Sequence, residues 1–533
     1  MMKGIYLYMT MCAAAIFFTA CTNELEESTV SADALVLTVG DYPVFSEGPD
    51  TRAVGTFDPG KTAWEEGDQI LVSVSSNGST TQYATLTYAN STWTPSQTLT
   101  RPSGTYTINA WYAPAYEWSN GTLILSSGKT AGTDEFLATT SGDGTITFTT
   151  NSRAYSRLRI AGASGTNLTV SLTNFTPAGG GTAPNSYALT TDSKGNAYLY
   201  GTWTGSSNLD VTYGSTSLVD KDNIAASVAN SSYVVDASFT NVSNANAWNS
   251  IGDGTADCPY ILLNGTQLNN LATNSSADKS VQYKMDADID LSQYSSNWTP
   301  FSFSGIFDGN GHAITEFTYN SSNTQNFGLF NQNSGTIKNL TIKGCSISNT
   351  HKSGNSGAIA YYNNGGTIEN CHVSGTIISG YSVGGIVQYN SGRIIACSNA
   401  ANITATGSGY LGGICGTHAA STIIGCYNTG TINGNYAAGF VGQIFTTGTA
   451  TISSCFTTSG NIYKEIGPFG TVNITNCYYL NGSAITNQDG GTVTDWQAAT
   501  EAMNAQLGNY SYRYVQRNGT NQPPVIEATK QSQ

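Results

Sequence analysis

Thr367-Ile368-Glu369-Asn370-Cys371, Arg393-Ile394-Ile395-Ala396-Cys397 and Thr422-Ile423-Ile424-Gly425-Cys426 are three copies of one pattern that decides the fold. The core of the pattern is Ile-x-x-Cys or Ile-x-x-Leu. Successive copies are about 22 to 31 residues apart, which is the period of a solenoid coil. The copies lie at Ile337/Leu340, Ile368/Cys371, Ile394/Cys397, Ile423/Cys426, Ile452/Cys455 and Ile474/Cys477.

A second apolar element precedes most copies, so each coil carries two or more short strands separated by Gly and Asn. One coil cannot bury its own apolar face, but coils stacked about 4.8 Å apart pair each strand above and below. We therefore expect ladders of Ile and buried Cys inside a narrow prism, with Asn and Gly at its corners. The second elements include Phe327-Gly328-Leu329-Phe330, Gly357-Ala358-Ile359-Ala360, Gly384-Gly385-Ile386-Val387 and Gly412-Gly413-Ile414-Cys415.

The repeat region resembles GLUG repeats, named for a Gly-Leu-x-Gly motif to which Gly439-Phe440-Val441-Gly442 is the nearest copy. The segment Gly305-Ile306-Phe307-Asp308-Gly309-Asn310-Gly311-His312 is similar to the family's first coils. The resemblance implies a right-handed parallel β-helix, which we place at residues 246–493. Residues 494–533 are expected to form a cap and tail, with a short helix from Thr494 to Leu507 covering the open end.

Composition and charge narrow the class of protein. Only 10% of the 533 residues are charged, 59 are Gly, and the net charge is −14. Sparse helix formers with many β-branched and turn residues predict an all-β fold. A strongly acidic balance argues against nucleic acid, because phosphate binding needs clustered Lys and Arg.

Residues 33–245 alternate short β-type runs with turns, and this predicts one or two β-sandwiches ahead of the β-helix. The segment Trp64-Glu65-Glu66-Gly67-Asp68-Gln69-Ile70 resembles the Trp-x-x-Gly-Asp-x-Ile signature of fimbrillin-like (Mfa-like) proteins of Bacteroidetes. We expect Gly67-Asp68 to reverse the chain while Trp64 and Ile70 enter the core on either side. Further matches to the family are Pro102-Ser103-Gly104-Thr105-Tyr106 and Arg157-Leu158-Arg159-Ile160.

This resemblance implies a pilus subunit. In the family, a protease cuts after an Arg near the N-terminus, and the opened groove receives a strand from a neighbouring subunit. Arg52 is the matching position here, with an ordinary exposed loop Arg as the alternative. Because this chain ends in a different domain from the family's main subunits, it resembles a tip or accessory subunit.

The N-terminus carries an export signal. Residues 1–20 form a signal peptide, with Lys3 ahead of an apolar stretch. Phe18-Thr19-Ala20-Cys21 resembles a lipoprotein box, which implies lipidation of Cys21. The acidic linker 21–32 is similar to the surface-export signal of Bacteroidetes lipoproteins, and a plain solvated linker is the alternative. We therefore expect a surface-exposed protein of the outer membrane that is anchored by lipid, with assembly into a pilus as a further expectation.

The sequence contains only weak matches to catalytic and metal-binding motifs. Asp286, Asp288 and Asp290 imitate a calcium loop but lack its Gly and terminal Glu. The cysteines contain no Cys-x-x-Cys, so we expect no zinc and no cofactor, and either free buried thiols or disulfides between coils. Asp308 and His312 are the one acid–base pair worth naming, and the family resemblance already explains both. The sequence therefore predicts no enzyme.

The predicted function is that of a surface or pilus-associated adhesin whose β-helix binds a glycan or a host or matrix ligand of unknown identity. Exposed aromatic rings stack on sugars, although packing along the helix flank is an alternative role for them. A polysaccharide-processing enzyme and a structural lipoprotein that never joins a pilus are the rival functions. The candidate ligand-surface residues are Tyr361, Tyr362, Tyr389, Tyr410 and Tyr436.

Overall fold

The computed structural model describes residues 33–47, 58–242, 245–294, 297–323, 325–467, 470–488, 491–516 and 522–529. The fold is nearly all β, as predicted, with a parallel β-solenoid of about six turns. The chain divides into two compact units, one formed by residues 1–46 and 59–154, the other by 47–58 and 155–533. Short 3-10 helices are Thr150–Ser152, Phe239–Asn241 and Ser292–Tyr294.

The first unit is built on an antiparallel sheet with the strand order β5-β4-β3-β6-β9, and β1 pairs in parallel with β10. Alternating residues of β3 and β6 enter one core, and in β3 the intervening Leu71 and Ser73 are buried as well. The first ten strands are β1 Thr38–Val39, β2 Ser46–Glu47, β3 Gln69–Ser76, β4 Gln82–Ala89, β5 Thr92–Pro95, β6 Tyr106–Tyr112, β7 Tyr116–Ser119, β8 Thr122–Leu125, β9 Leu137–Ser141 and β10 Thr145–Ile146.

The Gly67-Asp68 turn confirms the interpretation of the first motif. Gly67 has a φ of 89°, in the left-handed region that Gly adopts without strain. Ile70 is fully buried, and the Trp64 ring packs edge-on against Tyr42, Trp93 and Tyr112. The two apolar anchors therefore hold both sides of the turn.

A sandwich with a core of its own opens the second unit. One sheet has the order β13-β15-β11-β18 and the other β14-β12-β16-β17. Its core also takes in Ile251 and Ile261, which lie beyond residue 245. The sequence left open one or two sandwiches, and the structure has two separate cores. The strands are β11 Ser156–Ala161, β12 Asn167–Leu172, β13 Thr176–Pro177, β14 Tyr187–Thr190, β15 Asn196–Thr202, β16 Leu209–Tyr213, β17 Thr216–Lys221 and β18 Ser231–Asp236.

The solenoid begins at β19 and at helix α1, whose Leu268 and Leu271 are fully buried in the solenoid core. Asn264 caps this helix by accepting a hydrogen bond from the backbone of Gln267. The first elements are β19 Tyr260–Leu262, α1 Gly265–Thr273, β20 Gln282–Met285, β21 Ile289–Asp290, β22 Phe301–Phe303, β23 Ile306–Asp308, β24 Ala313–Thr315, β25 Thr318–Ser321, β26 Asn326–Phe327, β27 Phe330–Asn333, β28 Thr336–Lys338 and β29 Thr341–Asn349.

The remaining strands continue the same coil. They are β30 Asn355–Gly357, β31 Ala360–Asn363, β32 Thr367–Glu369, β33 His372–Ser379, β34 Val383–Gly384, β35 Val387–Asn390, β36 Arg393–Ile395, β37 Ser398–Asn399, β38 Asn402–Ala405, β39 Tyr410–Gly412, β40 Cys415–His418, β41 Thr422–Ile424, β42 Tyr427–Asn428, β43 Ile432–Asn433, β44 Tyr436–Ala438, β45 Val441–Ile444, β46 Thr449–Ser453, β47 Phe456–Thr457, β48 Tyr463–Ile466, β49 Thr471–Thr475, β50 Tyr478–Asn481, β51 Ala484–Asn487 and β52 Thr492–Val493.

Four stacked sheets form the walls of the solenoid. The isoleucine sheet runs β19-β20-β23-β28-β32-β36-β41-β46-β49, and the tyrosine sheet runs β22-β27-β31-β35-β40-β45-β48. The long sheet follows β21-β24-β29-β33-β37-β42-β47-β50, and antiparallel β51 and β52 extend it. The short sheet is β26-β30-β34-β39-β44. All pairings between coils in these sheets are parallel, as the repeat predicted.

The repeat positions stack in register. Ile337, Ile368, Ile394, Ile423, Ile452 and Ile474 pair in that order, and the first five are fully buried. The residue before each Leu or Cys turns the corner with a positive φ, which Asn and Gly tolerate best. Two corners depart from the Asn and Gly that the sequence predicted, namely Ala396 (φ 54°) and Ser454 (φ 52°).

The predicted helix near the C-terminus is α2, Trp496–Gln506, but its position differs from the prediction. It packs on the flank of the solenoid, where the Ser454 hydroxyl donates to the Met503 carbonyl at 2.9 Å. Outward Ile395 and Ile424 leave that flank apolar, and the helix covers them. The predicted tail also contains an antiparallel hairpin, β53 Tyr512–Val515 and β54 Val525–Ala528.

Candidate functional site

The tyrosine sheet presents one column of outward side chains. Gln332, Tyr362, Tyr389 and Thr417 occupy equivalent positions in successive coils, followed by Gln443 and Glu465. Parallel strands in register hold such side chains about 4.8 Å apart along the stack. Along one line the column therefore carries an amide, two aromatic rings, the buried hydroxyl of Thr417, a second amide and a carboxylate.

Two of the predicted tyrosines contact each other in this column. The ring centroids of Tyr362 and Tyr389 are 5.1 Å apart at an interplanar angle of 87°. The Ser391 hydroxyl donates to the Tyr362 hydroxyl at 3.3 Å. Tyr361 is partly buried beside them, and burial raises its pKa and that of Tyr389. These phenols are therefore neutral at physiological pH and able to donate hydrogen bonds.

Two more of the predicted tyrosines form a pair on the short sheet. Tyr410 and Tyr436 are paired residues of β39 and β44, with ring centroids 5.5 Å apart. The Tyr410 hydroxyl donates to Glu465 Oε2 at 2.9 Å, which links this pair to the column of the tyrosine sheet. Burial and the Glu465 carboxylate raise the pKa of Tyr410. Tyr436 is 41% exposed.

Sequence reasoning missed two residues at this site. Tyr381, 42% exposed, lies just before the short-sheet strand β34 and is close enough to Tyr410 to influence its pKa. Glu465 closes the column. Tyr381 lies two residues before Val383, whereas Tyr410 lies directly before Leu411, so the repeat spacing does not mark Tyr381. Glu465 lies in a coil without the Gly-rich element, so no such signal marked it.

We call Tyr362, Tyr389, Tyr410, Tyr436 and Glu465 the tyrosine face. Its rings supply apolar surface together with hydroxyl donors, which suits ligands that combine flat apolar faces with polar groups. The Glu465 carboxylate is an acceptor for ligand hydroxyls or cations. The partly exposed Gln443, next to Glu465 in the column, extends this polar edge.

The acid–base pair named from the sequence has different partners in the structure. His312 Nδ1 is 3.3 Å from Asp288 Oδ1, whereas the Asp308 carboxylate accepts from Asn339 Nδ2 at 3.0 Å. Asp308 also lies 3.3 Å from Lys338 Nζ. Asp308 therefore binds residues of the next coil, whereas His312 contacts Asp288.

The cysteine ladder consists of buried thiols. Backbone amides donate to the sulfur of the next coil, for example Cys371 N to Cys397 Sγ at 3.4 Å. Burial raises the pKa of Cys371 and of Cys415, so these thiols resist ionisation. Among the described residues, no group of three or more His, Cys, Asp or Glu is arranged to hold a metal ion.

The two processing sites predicted from the sequence, Cys21 and Arg52, lie outside the described residues. In the part of the chain that the structure covers, no helix is both long and apolar enough to cross a membrane. The lipid anchor and the cleavage after Arg52 therefore stay predictions.

Comparison with known proteins gives partial matches. No family model matches the chain. A stretch of 113 residues, 19% of this chain, is 34% identical to halomucin of Haloquadratum walsbyi. That stretch spans 1% of the length of halomucin. The fimbrillin-like and GLUG resemblances therefore rest on the sequence motifs.

Two solved structures are similar at low sequence identity. A candidate immunoglobulin A1 protease from Bacteroides ovatus is 21% identical with a TM-score of 0.37, covering 52% of this chain and 94% of that one. A candidate cell adhesion protein from Bacteroides fragilis is 12% identical with a TM-score of 0.21, covering 38% of this chain and 92% of that one.

Proposed function

We propose that the chain is a surface adhesin whose tyrosine face binds a glycan or a host or matrix ligand. One observation carries this proposal: aromatic, hydroxyl, amide and carboxylate groups lie in register over successive coils. A sugar ring offers an apolar face that stacks on Tyr and hydroxyls that pair with carboxylate or amide groups. Such a column suits an extended oligosaccharide, because successive coils present aromatic and polar groups at a fixed spacing.

The rigidity of the solenoid supports this role. Each side chain of the tyrosine face projects from a strand that is paired with neighbouring coils, so little conformational entropy is lost when a ligand binds. Tyr362 and Tyr389 also hold each other edge to face. The N-terminal part of the proposal is a lipid on Cys21 that anchors the protein in the outer membrane, with assembly into a pilus as a tip or accessory subunit.

Ligand binding is tested on immobilised glycans and matrix proteins with the purified full-length chain. The double variant Tyr410→Ala/Tyr436→Ala removes two neighbouring rings of the tyrosine face, and we expect about tenfold weaker binding, or about 1.4 kcal/mol. The matched control is Phe445→Ala, which removes an aromatic ring that is 48% exposed at a neighbouring corner. Equal binding by both variants and the parent would refute the tyrosine face as the ligand site.

The rival functions give different results in two further assays. A polysaccharide-processing enzyme would release reducing ends or unsaturated products from mixed polysaccharides, and the proposal expects neither. Mass spectrometry of the N-terminus of protein taken from cells tests the anchor. A start at Ala53 in high-molecular-weight material supports a pilus, whereas a lipidated Cys21 on a monomer means a fixed surface lipoprotein.

A further inference from the structure

One carboxylate stands alone in the later coils of the solenoid. Glu465 is the only acidic residue between Glu369 and Asp489 in the sequence. In the same stretch Arg393 and Lys464 are the only Arg and Lys residues. Glu465 therefore supplies the one negative charge of these coils, in a surface built mainly of neutral polar and aromatic side chains.

The structure places this carboxylate against the tyrosine pair of the short sheet. Glu465 pairs with Gln443, which lies in the same coil as Tyr436, and Tyr436 in turn pairs with Tyr410. Glu465 is therefore one coil beyond Tyr436 and two coils beyond Tyr410. The Tyr410 hydroxyl nevertheless donates to Glu465 Oε2 at 2.9 Å. The coil that carries Tyr436 thus lies between the two partners of this hydrogen bond.

The site has acceptor atoms without donors. Within the described part of the chain, Glu465 Oε1 and the Tyr436 hydroxyl accept no hydrogen bond, and no ion pair involves Glu465. The Tyr410 hydroxyl donates its one proton to Glu465 and keeps its lone pairs. Tyr436 is 41% exposed, and its ring packs 5.5 Å from that of Tyr410. The site therefore offers aromatic surface, acceptors and negative charge to solvent.

This combination suits a positively charged amine. A primary ammonium group carries three N–H donors and no acceptor, and it forms charge-assisted hydrogen bonds with a carboxylate. Faces of Tyr rings attract the same charge. A neutral amide in its place keeps one donor and loses both charge interactions, and an anion would be repelled by Glu465. The net charge of −14 also attracts a polycation from a distance.

We propose that the ligand of the tyrosine face is a glycan with free amino groups, one of which binds Glu465 Oε1 against the rings of Tyr410 and Tyr436. This inference rests on the proposed function, because it names the class of ligand for the same face. Along the tyrosine sheet, Tyr389 and Tyr362 then stack on further sugar rings of the same chain.

Two oligosaccharides that differ in charge test the proposal. A glucosamine hexamer and its fully N-acetylated counterpart are titrated by calorimetry into the purified full-length chain, in a mildly acidic buffer that keeps the free amines protonated. We expect the free-amine hexamer to bind about tenfold more tightly. Equal affinities would overturn this inference and leave an adhesin for neutral glycans. Binding of neither hexamer would also overturn it, whereas the wider screen of glycans and matrix proteins decides the proposed function.

A charge variant shows whether the site itself makes the distinction. Glu465→Gln keeps the length of the side chain and removes its charge, so it should bind the free-amine hexamer about tenfold more weakly and the acetylated hexamer as the parent does. The matched control is Glu316→Gln, which removes the same charge from an exposed position between β24 and β25, outside the tyrosine face. The control should keep the preference of the parent. If both variants weaken binding equally, net charge alone attracts the amine, and the proposal falls.

Discussion

Glu316 adopts a left-handed backbone conformation, with a φ of 53° and an exposed side chain. For residues other than Gly and Asn this conformation costs about 1 to 2 kcal/mol. Glu316→Gly should therefore raise the free energy of unfolding by about 1 kcal/mol, measured by chemical denaturation. Asn320→Gly is the control, because Asn320 lies exposed in β25 and the extra chain entropy should lower stability. Equal effects of both substitutions would contradict this explanation.

A second residue-scale feature is a buried amide ladder. Asn333, Asn363 and Asn390 lie in one inward column, and each donates to the next at 2.9 and 2.7 Å. Asn390 then lies 3.2 Å from His418 Nδ1, and His418 is fully buried. Because the ladder uses the amides of one coil to satisfy those of the next, it fixes the register of the stack.

His418 makes the stability of the solenoid depend on pH. Burial lowers its pKa from 6.5 to about 4. Between these values the unfolded chain binds a proton that the folded chain does not, so stability is lost as the pH falls from above 6.5 towards 4. We expect a loss of about 3 kcal/mol relative to the variant His418→Asn, which continues the amide ladder without titrating.

Chemical denaturation of both proteins from pH 7 to pH 4 checks this prediction. Carboxylates titrate in both proteins, so the difference between the two slopes isolates His418. The smaller Asn side chain changes the free energy of unfolding by the same amount at every pH, so it does not affect the slope. Parallel slopes would mean that His418 titrates normally in the folded protein.

At the scale of elements, the sequence predicts those strands whose residues repeat from coil to coil. The isoleucine and cysteine positions repeat with each coil, and stacking then dictates their burial. The place of α2 depends instead on which outward residues of the coils are apolar. Ile395 and Ile424 follow the core Ile directly, and the pattern could not show that they need a cover. Helix α1 was missed because it occurs once and its short polar sequence has no repeat.

Tyr514 attaches the C-terminal hairpin to the solenoid. Its fully buried hydroxyl lies 2.8 Å from the Ser454 carbonyl and 3.1 Å from the Cys426 carbonyl. Tyr514→Phe removes this donor from the Ser454 carbonyl, whereas the Cys426 carbonyl keeps the backbone amide of Phe456. The substitution should cost about 1 to 3 kcal/mol in thermal or chemical unfolding. Tyr510→Phe, at a partly buried position in the same segment, should change stability little. A neutral Tyr514→Phe would show that water or another group satisfies the Ser454 carbonyl.

At the scale of the whole molecule, the sequence predicted which tyrosines belong to the candidate site but not which of them contact each other. Four predicted tyrosines meet in two pairs, because the strand register places Tyr362 on Tyr389 and Tyr410 on Tyr436. The second pair binds Glu465, in a coil that lacks the Gly-rich element, through the Tyr410 hydroxyl. Which sheet a side chain joins depends on coil length, and coil lengths vary along this chain.

The solenoid should tolerate removal of one whole coil. Deleting Thr336 to Gly366 joins Gly335 to Thr367, and Thr367 is the stacking equivalent of Thr336. Phe307 would then stack on Ile368, and Asn333 on Asn390, so every column continues. Since coils contact mainly their neighbours, we expect a folded chain with a modestly lower melting temperature.

The control deletion removes Thr336 to Ala358 and is shorter, but it joins Gly335 to Ile359, which is not the equivalent position. Residues of the tyrosine sheet would then enter the isoleucine sheet, where Ala360 would take the place of Ile337 and the Asn363 amide that of the core residue Leu340. Circular dichroism and thermal unfolding should show a cooperative β-protein for the whole-coil deletion and an unfolded or aggregated chain for the control. If both deletions fold equally well, side-chain register along the stack does not determine this fold.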